Sequence, residues 1–443
     1  MLLYYKIYLI IMIFLRIIKY WLMIELINWI TYLFMYIKII SPKFLKFKEN
    51  DTIKIIERID KLNKNEIEHI IAGCVIYDKI SHSNIDYTNF DISKMSKIEI
   101  INLIGYSLFG IGVNDIYSSS KLFIIMELVK KIENKLGYEF VLDDLDRYLY
   151  RGWGSNFIKF SFRPLILQIP LKIFINSIHL LFTVYLGYKW EKHNKIGFLY
   201  KKNDPNKKNL VFIHGLGFGY VPYFQILMEL DKRYNLIIIV LPNISSYSNY
   251  DRFNYDNLTT DFDYFPQISH LADIFFNFMK LKNITNTMVL SHSFGTYITQ
   301  ILRKDSRSII FDKIILVDPI IFWIGCFKMS LHIENPFIKK YPIYLFIIDN
   351  ILAFMIYQCL YLKYVCFRVM FGPDFWIYDV NELANKNITI ILEKGDYIIP
   401  AELLYDKING VINCHYFNSD DMMHGSILME NKYINELIKI IDE

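Results

Sequence analysis

Four short stretches of this 443-residue chain carry residue types that can perform acyl chemistry. The first is Met288-Val-Leu-Ser-His-Ser-Phe-Gly-Thr296, an apolar run ending in Ser-x-Ser-x-Gly. It reads as a strand, a tight turn and a helix with Ser293 at the apex, which lifts a serine hydroxyl clear of the sheet. The second is Val211-Phe-Ile-His-Gly-Leu-Gly-Phe-Gly219. Its glycines let backbone amides face inward, as an oxyanion needs. It has no Lys-Ser/Thr pair of a Walker loop, and its glycine spacing is wrong for a dinucleotide fingerprint. The third is Gly395-Asp396, just past an apolar run, and the fourth is His424-Gly425 in a polar loop. Singly, a Ser/Gly turn, a turn aspartate and a loop histidine are ordinary. Their order Ser…Asp…His is informative, because nucleophile, acid and base must meet at one end of one sheet.

The elements around them support that meeting. Candidate strands lie at 210–213, 236–241, 288–292, 314–317, 388–392 and 411–416, with helical patterns at 221–234, 267–281, 294–304 and 427–441. Strand and helix in alternation predict an α/β fold, a doubly wound and mostly parallel sheet with helices on both faces. Sites in such sheets lie at the C-terminal ends of the strands. The polar stretch 203–209 with Pro205 marks a domain boundary, giving a catalytic domain over 205–443. Residues 321–386 interrupt the alternation with aromatics and long aliphatics, far longer than a βα connection needs. A helical lid is expected there, with a further membrane helix as the alternative.

With these motifs in place, residues 205–443 resemble the α/β-hydrolase superfamily, including poorly characterised members with hydrophobic N-terminal extensions. The matching pieces are the His214-Gly215-Leu216-Gly217 turn, the Ser291-His-Ser-Phe-Gly295 elbow, the Gly395-Asp396-xxx-Pro400 loop and His424-Gly425. Ser291 stands where the usual elbow has glycine. The resemblance implies that Ser293 attacks an acyl carbonyl, that His424 is its general base, and that Asp396 holds the imidazole tautomer. The N–H of Phe294 and that of Leu216 or Gly217 would form the oxyanion hole. His214, Gly215 and Gly295 would support it, while His292 fills the elbow and His415 lies in a strand. Asp318, in Val317-Asp-Pro319, is the rival acid, although it is expected to cap the start of the lid. A serine at the apex, where dehalogenases and epoxide hydrolases carry aspartate, implies an acyl-enzyme from an ester or thioester.

Composition bounds the rest. The five cysteines form no C-x-x-C pair, so neither a disulfide framework nor a zinc site follows. No cofactor and no metal are expected. A net charge of +4 with interspersed signs, and no basic stripe, argues against nucleic acid. Hydrophobic residues reach 53%, part of which reflects a chain heavy in Ile, Lys, Asn, Tyr and Phe. Residues 1–40 nonetheless stand out, and they lack the small residues of a signal-peptidase site. At about 1.5 Å per residue the run from 20 to 37 crosses most of a bilayer core of roughly 30 Å. Glu25 interrupts it at a cost of several kcal/mol on insertion scales, so an interfacial helix is the alternative to a span. Residues 41–204 read as mainly helical, and 171–188 as a segment lying on a membrane or on the following domain. The expected protein is a membrane-associated serine hydrolase acting on an apolar acyl ester, with lipid the leading substrate class. Its alternatives are an acyltransferase and a silent hydrolase fold that binds without cleaving. Sequence fixes neither the oligomeric state nor which membrane.

Overall fold

A computed structural model describes residues 2–39, 56–57, 59–78, 83–84, 90–109, 121–143, 147–150, 162, 164–193, 196–201, 204–241, 244, 268–322, 377, 379–384, 387–396 and 398–443. The chain opens with one 38-residue helix, α1 (Leu2–Ile39). Its apolar side chains are exposed over most of that length, until Tyr32 enters the main core and meets Phe162 edge-on at 5.5 Å.

A small unit follows, with α2 (Lys64–Cys74), strands β1 (Val75–Asp78) and β2 (Ser83–Asn84), α3 (Lys97–Phe109), α4 (Leu122–Leu136) and β3 (Tyr148–Tyr150). The mainly helical expectation fits this region, but it also contains a three-stranded antiparallel sheet in the order β2-β1-β3. Reciprocal capping boxes start two of its helices. Asn63 and Glu66 exchange backbone-to-side-chain bonds at 2.8 and 3.0 Å, and Ser96 and Glu99 do so at 2.8 and 3.1 Å. Ile67, Ile71, Ile100, Leu128 and Val129 fill a core of its own.

Next comes α5 (Leu165–Leu180), extended by a π-helical turn at Leu181–Tyr185. No residue of α5 is buried, whereas Phe182 in the following turn is fully enclosed. Glu25 of α1 accepts the Leu165 N–H through both carboxylate oxygens at 3.1 Å. The acid that interrupts the first apolar helix thus caps the second, where a helix N-terminus favours negative charge.

The large sheet is built from β4 (Lys189–His193), β5 (Ile196–Tyr200), β6 (Asn209–Ile213), β7 (Asn235–Val240), β8 (Thr287–His292), β9 (Phe311–Val317), β10 (Ile388–Glu393) and β11 (Asn413–Phe417). Their order is β11-β10-β9-β8-β6-β7-β5-β4. All neighbours from β7 to β11 pair in parallel, while β5 runs antiparallel to both β4 and β7. This is the α/β-hydrolase fold. The sheet therefore begins at Lys189, ahead of the boundary drawn at 205. The six strands anticipated from 210 onward all form, but β4 and β5 were not anticipated. Leu236–Ile239 and Thr287–His292 are buried without a polar face, as parallel strands covered on both sides must be. Alternate residues feed two cores. Val211, Ile237 and Val289 point to one, and Leu210, Phe212 and Leu290 to the other.

Helices α6 (Phe224–Arg233), α7 (Ile268–Leu281), α8 (Phe294–Lys304), α9 (Ala401–Ile408), α10 (Ser426–Met429) and α11 (Ile434–Asp442) cover the faces. Lys407 of α9 pairs with Glu66, and Lys61 bonds Asp379 at 3.1 Å, which fastens the N-terminal unit to the large-sheet domain. Phe322 and Ile377 form a parallel bridge, closed by the Ile377 N–H on Ile321 O at 2.9 Å. The chain thus leaves the sheet and returns to it at one point. The anticipated lid lies almost wholly between these two residues, outside the described residues.

Candidate active site

Parallel registry brings three loops to one edge. Ser291 pairs with Leu316 and Val317 with Ile391, so the ends of β8, β9 and β10 stand side by side. Ser293, Asp318 and Asp396 follow directly from those ends.

Ser293 adopts φ 51° and ψ −119° between β8 and α8, a left-handed backbone that a non-glycine residue holds only under constraint. Three contacts supply the constraint. The Ser293 N–H donates to Val317 O at 3.0 Å, and Thr296 N–H and Oγ1–H return to Ser293 O at 3.0 and 2.6 Å. Gly295 allows α8 to press against β6, since a Cβ there would sit 2.3 Å from Ile213 O. Ser291 fits its buried position, although its Oγ has no hydrogen-bond partner.

His424 donates Nδ1–H to Asp396 Oδ2 at 2.6 Å, and both side chains are almost wholly buried. Asp396 is itself anchored, because its Oδ1 accepts the N–H groups of Ile398 and Ile399 at 2.6 and 3.0 Å. Gly395 permits the turn, since a Cβ would meet Asp420 O at 2.4 Å and Met422 O at 2.6 Å. The His424 ring lies 4.8 Å from that of His292, the residue before Ser293. With Nδ1 engaged, Nε2 is the nitrogen able to accept a proton.

Asp318 was expected to cap the lid, but it turns inward instead. Its backbone is left-handed at φ 45°, and its Oδ2 accepts the Gly425 N–H at 2.7 Å while lying 4.0 Å from His424 Nδ1. Of the two acids, Asp396 holds the histidine nitrogen and Asp318 holds the backbone beside it.

The glycine turn is tied to the elbow through Tyr223 and His292, and it is held from its other side by His214. The Tyr223 hydroxyl accepts the Gly215 N–H at 3.3 Å and shares a 2.7 Å hydrogen bond with His292 Nδ1. His214 accepts the Leu241 N–H on Nε2 at 3.1 Å, so its proton sits on Nδ1, which donates to Gly215 O at 2.7 Å. Burial lowers the His214 imidazole to about 4, which keeps it neutral. Burial likewise holds His292 well below the usual histidine range, with His424 and His214 adding to the effect. The Gly217 N–H donates to Ile244 O at 2.9 Å and is not free for a ligand. Of the two alternative donors expected from the sequence, Leu216 and Gly217, the second is thus already engaged. His415 stays apart on β11, 3.6 Å from the C-terminal residue's side chain, Glu443 Oε2.

The nearest approach to a metal set among the described residues is His292, Asp318 and His424, whose ligand atoms lie within 4.8 Å of one another. That grouping is looser than the edges of roughly 3.3 Å implied by zinc–nitrogen bonds near 2.0–2.1 Å. His424 Nδ1 is already engaged by Asp396, and His292 Nδ1 by the Tyr223 hydroxyl.

No family model matches the sequence, and no curated protein matches it. Solved structures do. The naproxen esterase of Bacillus subtilis is 11% identical, with a TM-score of 0.40, over 61% of this chain and 98% of its own. A carboxylesterase of the same organism is 7% identical, with a TM-score of 0.44, over 62% and 97%. A membrane phospholipase A described as a bacterial virulence factor is 10% identical, with a TM-score of 0.42, over 63% and 96%. At such identities the likeness is one of fold, and chemistry has to be read from the residues themselves.

Replacing Tyr223 by Phe should strip a partner from two buried groups, the Gly215 N–H and His292 Nδ1. An orphaned buried group typically costs about 1–3 kcal/mol. The Tyr223→Phe protein should therefore melt several degrees lower, and a melting temperature equal to wild type would show that the hydroxyl does not tie the turn to the elbow.

Proposed function

We propose that this protein is a membrane-associated serine hydrolase that cleaves an apolar acyl ester through an acyl-enzyme. The observation carrying the proposal is the buried 2.6 Å bond from His424 to Asp396, one loop away from a left-handed serine turn. Ser293 Oγ attacks the acyl carbonyl while its proton passes to His424 Nε2. Asp396 stabilises the imidazolium that forms and keeps Nδ1 protonated. The oxyanion lies against the N–H groups of Leu216 and Phe294, where each donor is worth about 3 kcal/mol of barrier. His424 then returns its proton to the departing alcohol. Water, deprotonated by the same nitrogen, releases the acid and restores Ser293. A binding module without catalysis would have no need to hold His424 on Asp396 in a buried site.

Membrane association rests on α1 and α5. Within Tyr4–Phe34 an 18-residue window has a mean hydropathy of 2.1 with none of it buried, and within Leu165–Tyr185 one has 1.7 with 6% buried. At about 1.5 Å per residue the first is longer than a hydrocarbon core of roughly 30 Å. Two exposed apolar helices joined by Glu25 are poorly suited to water, and a lipid phase would cover both. The end of α5 also packs against the residue that follows the glycine turn. His179 shares a 2.9 Å hydrogen bond with the Tyr220 hydroxyl, and Phe182 packs edge-on against Tyr220 at 5.5 Å. Tyr220 directly follows the glycine turn, so an apolar substrate arriving along α5 comes to the proposed oxyanion donors. This favours a lipid ester.

Two outcomes follow. A fluorophosphonate probe should label the wild type covalently and leave Ser293→Ala unlabelled, and undiminished labelling of that variant would remove Ser293 from the reaction. In membranes washed with alkaline carbonate the protein should remain in the pellet, and its release would overturn the membrane reading.

A further inference from the structure

Three successive backbone N–H groups follow His424, and each meets a buried carboxyl. Gly425 N–H donates to Asp318 Oδ2 at 2.7 Å, Ser426 N–H to Glu393 Oε2 at 2.9 Å and Ile427 N–H to Glu393 Oε1 at 2.6 Å. Glu393 and Asp318 both have 0% exposure. We propose that Glu393 and Asp318 are positioning residues for the reaction centre: they fix the backbone at 425–427 and thereby hold His424 on Asp396. This rests on the reading of Ser293, Asp396 and His424 as the triad.

The geometry has a physical logic. The first N–H groups of a helix have no partner within it, and those of α10 are turned away from water. One glutamate fork accepts two of them in parallel, which sets both the position and the tilt of that turn. His424 is only two residues before the first of the pair, so a shift of α10 carries the imidazole with it. Glu393 is also three residues before Asp396, whose N–H donates to Glu393 O at 3.0 Å. One residue therefore holds the acid turn through its backbone and the histidine loop through its side chain.

The electrostatics agree with this placement. Burial pushes the Glu393 carboxyl up to about 8, against the lowering effect of the Ile427 and Ser426 N–H groups, and the charge of Asp396 adds to the rise. Burial also raises Asp318 well above the carboxylate range, with Glu393 and Asp396 reinforcing it. The groups facing the pair are Asp396 on the acid turn, His424 on its loop, His292 at the elbow and the Tyr223 hydroxyl. Lys394 turns outward to Asp420 at 3.3 Å. A raised carboxyl pKa means the folded state binds more protons than the unfolded one. Stability should then fall as pH climbs from the ordinary glutamate value of about 4.3 toward the folded value, and level off above it.

The test uses Glu393→Gln in the full-length protein, with p-nitrophenyl butyrate hydrolysis and melting temperature followed across pH. Glutamine keeps one acceptor and sets an N–H₂ against the other backbone N–H. The expected result is a kcat roughly 10- to 100-fold lower, the scale of a misplaced catalytic group, with KM within about twofold and a flatter dependence of melting temperature on pH. Wild-type kcat with wild-type pH dependence would overturn the proposal, as would a rise in KM alone. Should the glutamine variant not fold, Glu393→Asp keeps the carboxyl but withdraws it by one methylene, and a lowered kcat is expected. Wild-type kcat there would equally overturn it. Fluorophosphonate labelling of the wild type separates the two readings. Failure to label sinks the triad and this proposal together, whereas labelling with an unaffected glutamate variant sinks only the positioning role.

Discussion

Burying three carboxyls beside one imidazole is the constraint on which the C-terminal edge of this sheet depends. Asp318, Glu393 and Asp396 stand at 0%, 0% and 3% exposure, where an unpartnered charge is costly. Each takes at least one donor from another segment. Asp396 takes two N–H groups of its own turn and the histidine, Glu393 takes two from the helix after it, and Asp318 takes one from Gly425. The loops that carry these donors cannot move without stranding a buried acid. Local rigidity follows from keeping these buried polar groups hydrogen-bonded.

The same economy of partners runs through the elbow. Ser293 holds a strained backbone because Val317 O and Thr296 fix it from both sides, and because Gly295 lets α8 lie against the Ile213 carbonyl. Tyr223 then joins the glycine turn to His292. Turn, elbow and histidine loop thus form one hydrogen-bonded body on the edge of a sheet whose parallel strands set their spacing. The proposed chemistry needs this arrangement, since proton transfer and oxyanion stabilisation both depend on donors already in place.

Much of this was legible in the sequence, and the exceptions have physical causes. The apolar runs that became β6 to β11 announced themselves because parallel strands buried on both faces must be apolar throughout. Ser293, Asp396 and His424 stood out as candidates because each sits in a turn with glycine next to it or two residues away. Strands β4 and β5 were missed because Lys189-Trp-Glu-Lys-His193 is a polar edge strand and Gly197 reads as a breaker. In the fold, the Trp190 ring covers Gly197 so closely that a Cβ there would come within 2.0 Å of it. Glu393 gave no signal, since its partners lie more than thirty residues downstream and are backbone atoms. Asp318 was assigned to the lid because its place beside His424 depends on strand register, which residue spacing does not reveal. Gly217 read as an oxyanion donor until Ile244 O proved to hold its N–H.

The central claim is that the serine turn forms a covalent acyl intermediate. Incubation with a slowly hydrolysed ester, quenching in acid and mapping by mass spectrometry tests it directly. The account predicts the acyl mass on the peptide carrying Ser293. Turnover of the ester with the acyl group on another residue, or with no adduct at any quench time, would contradict it.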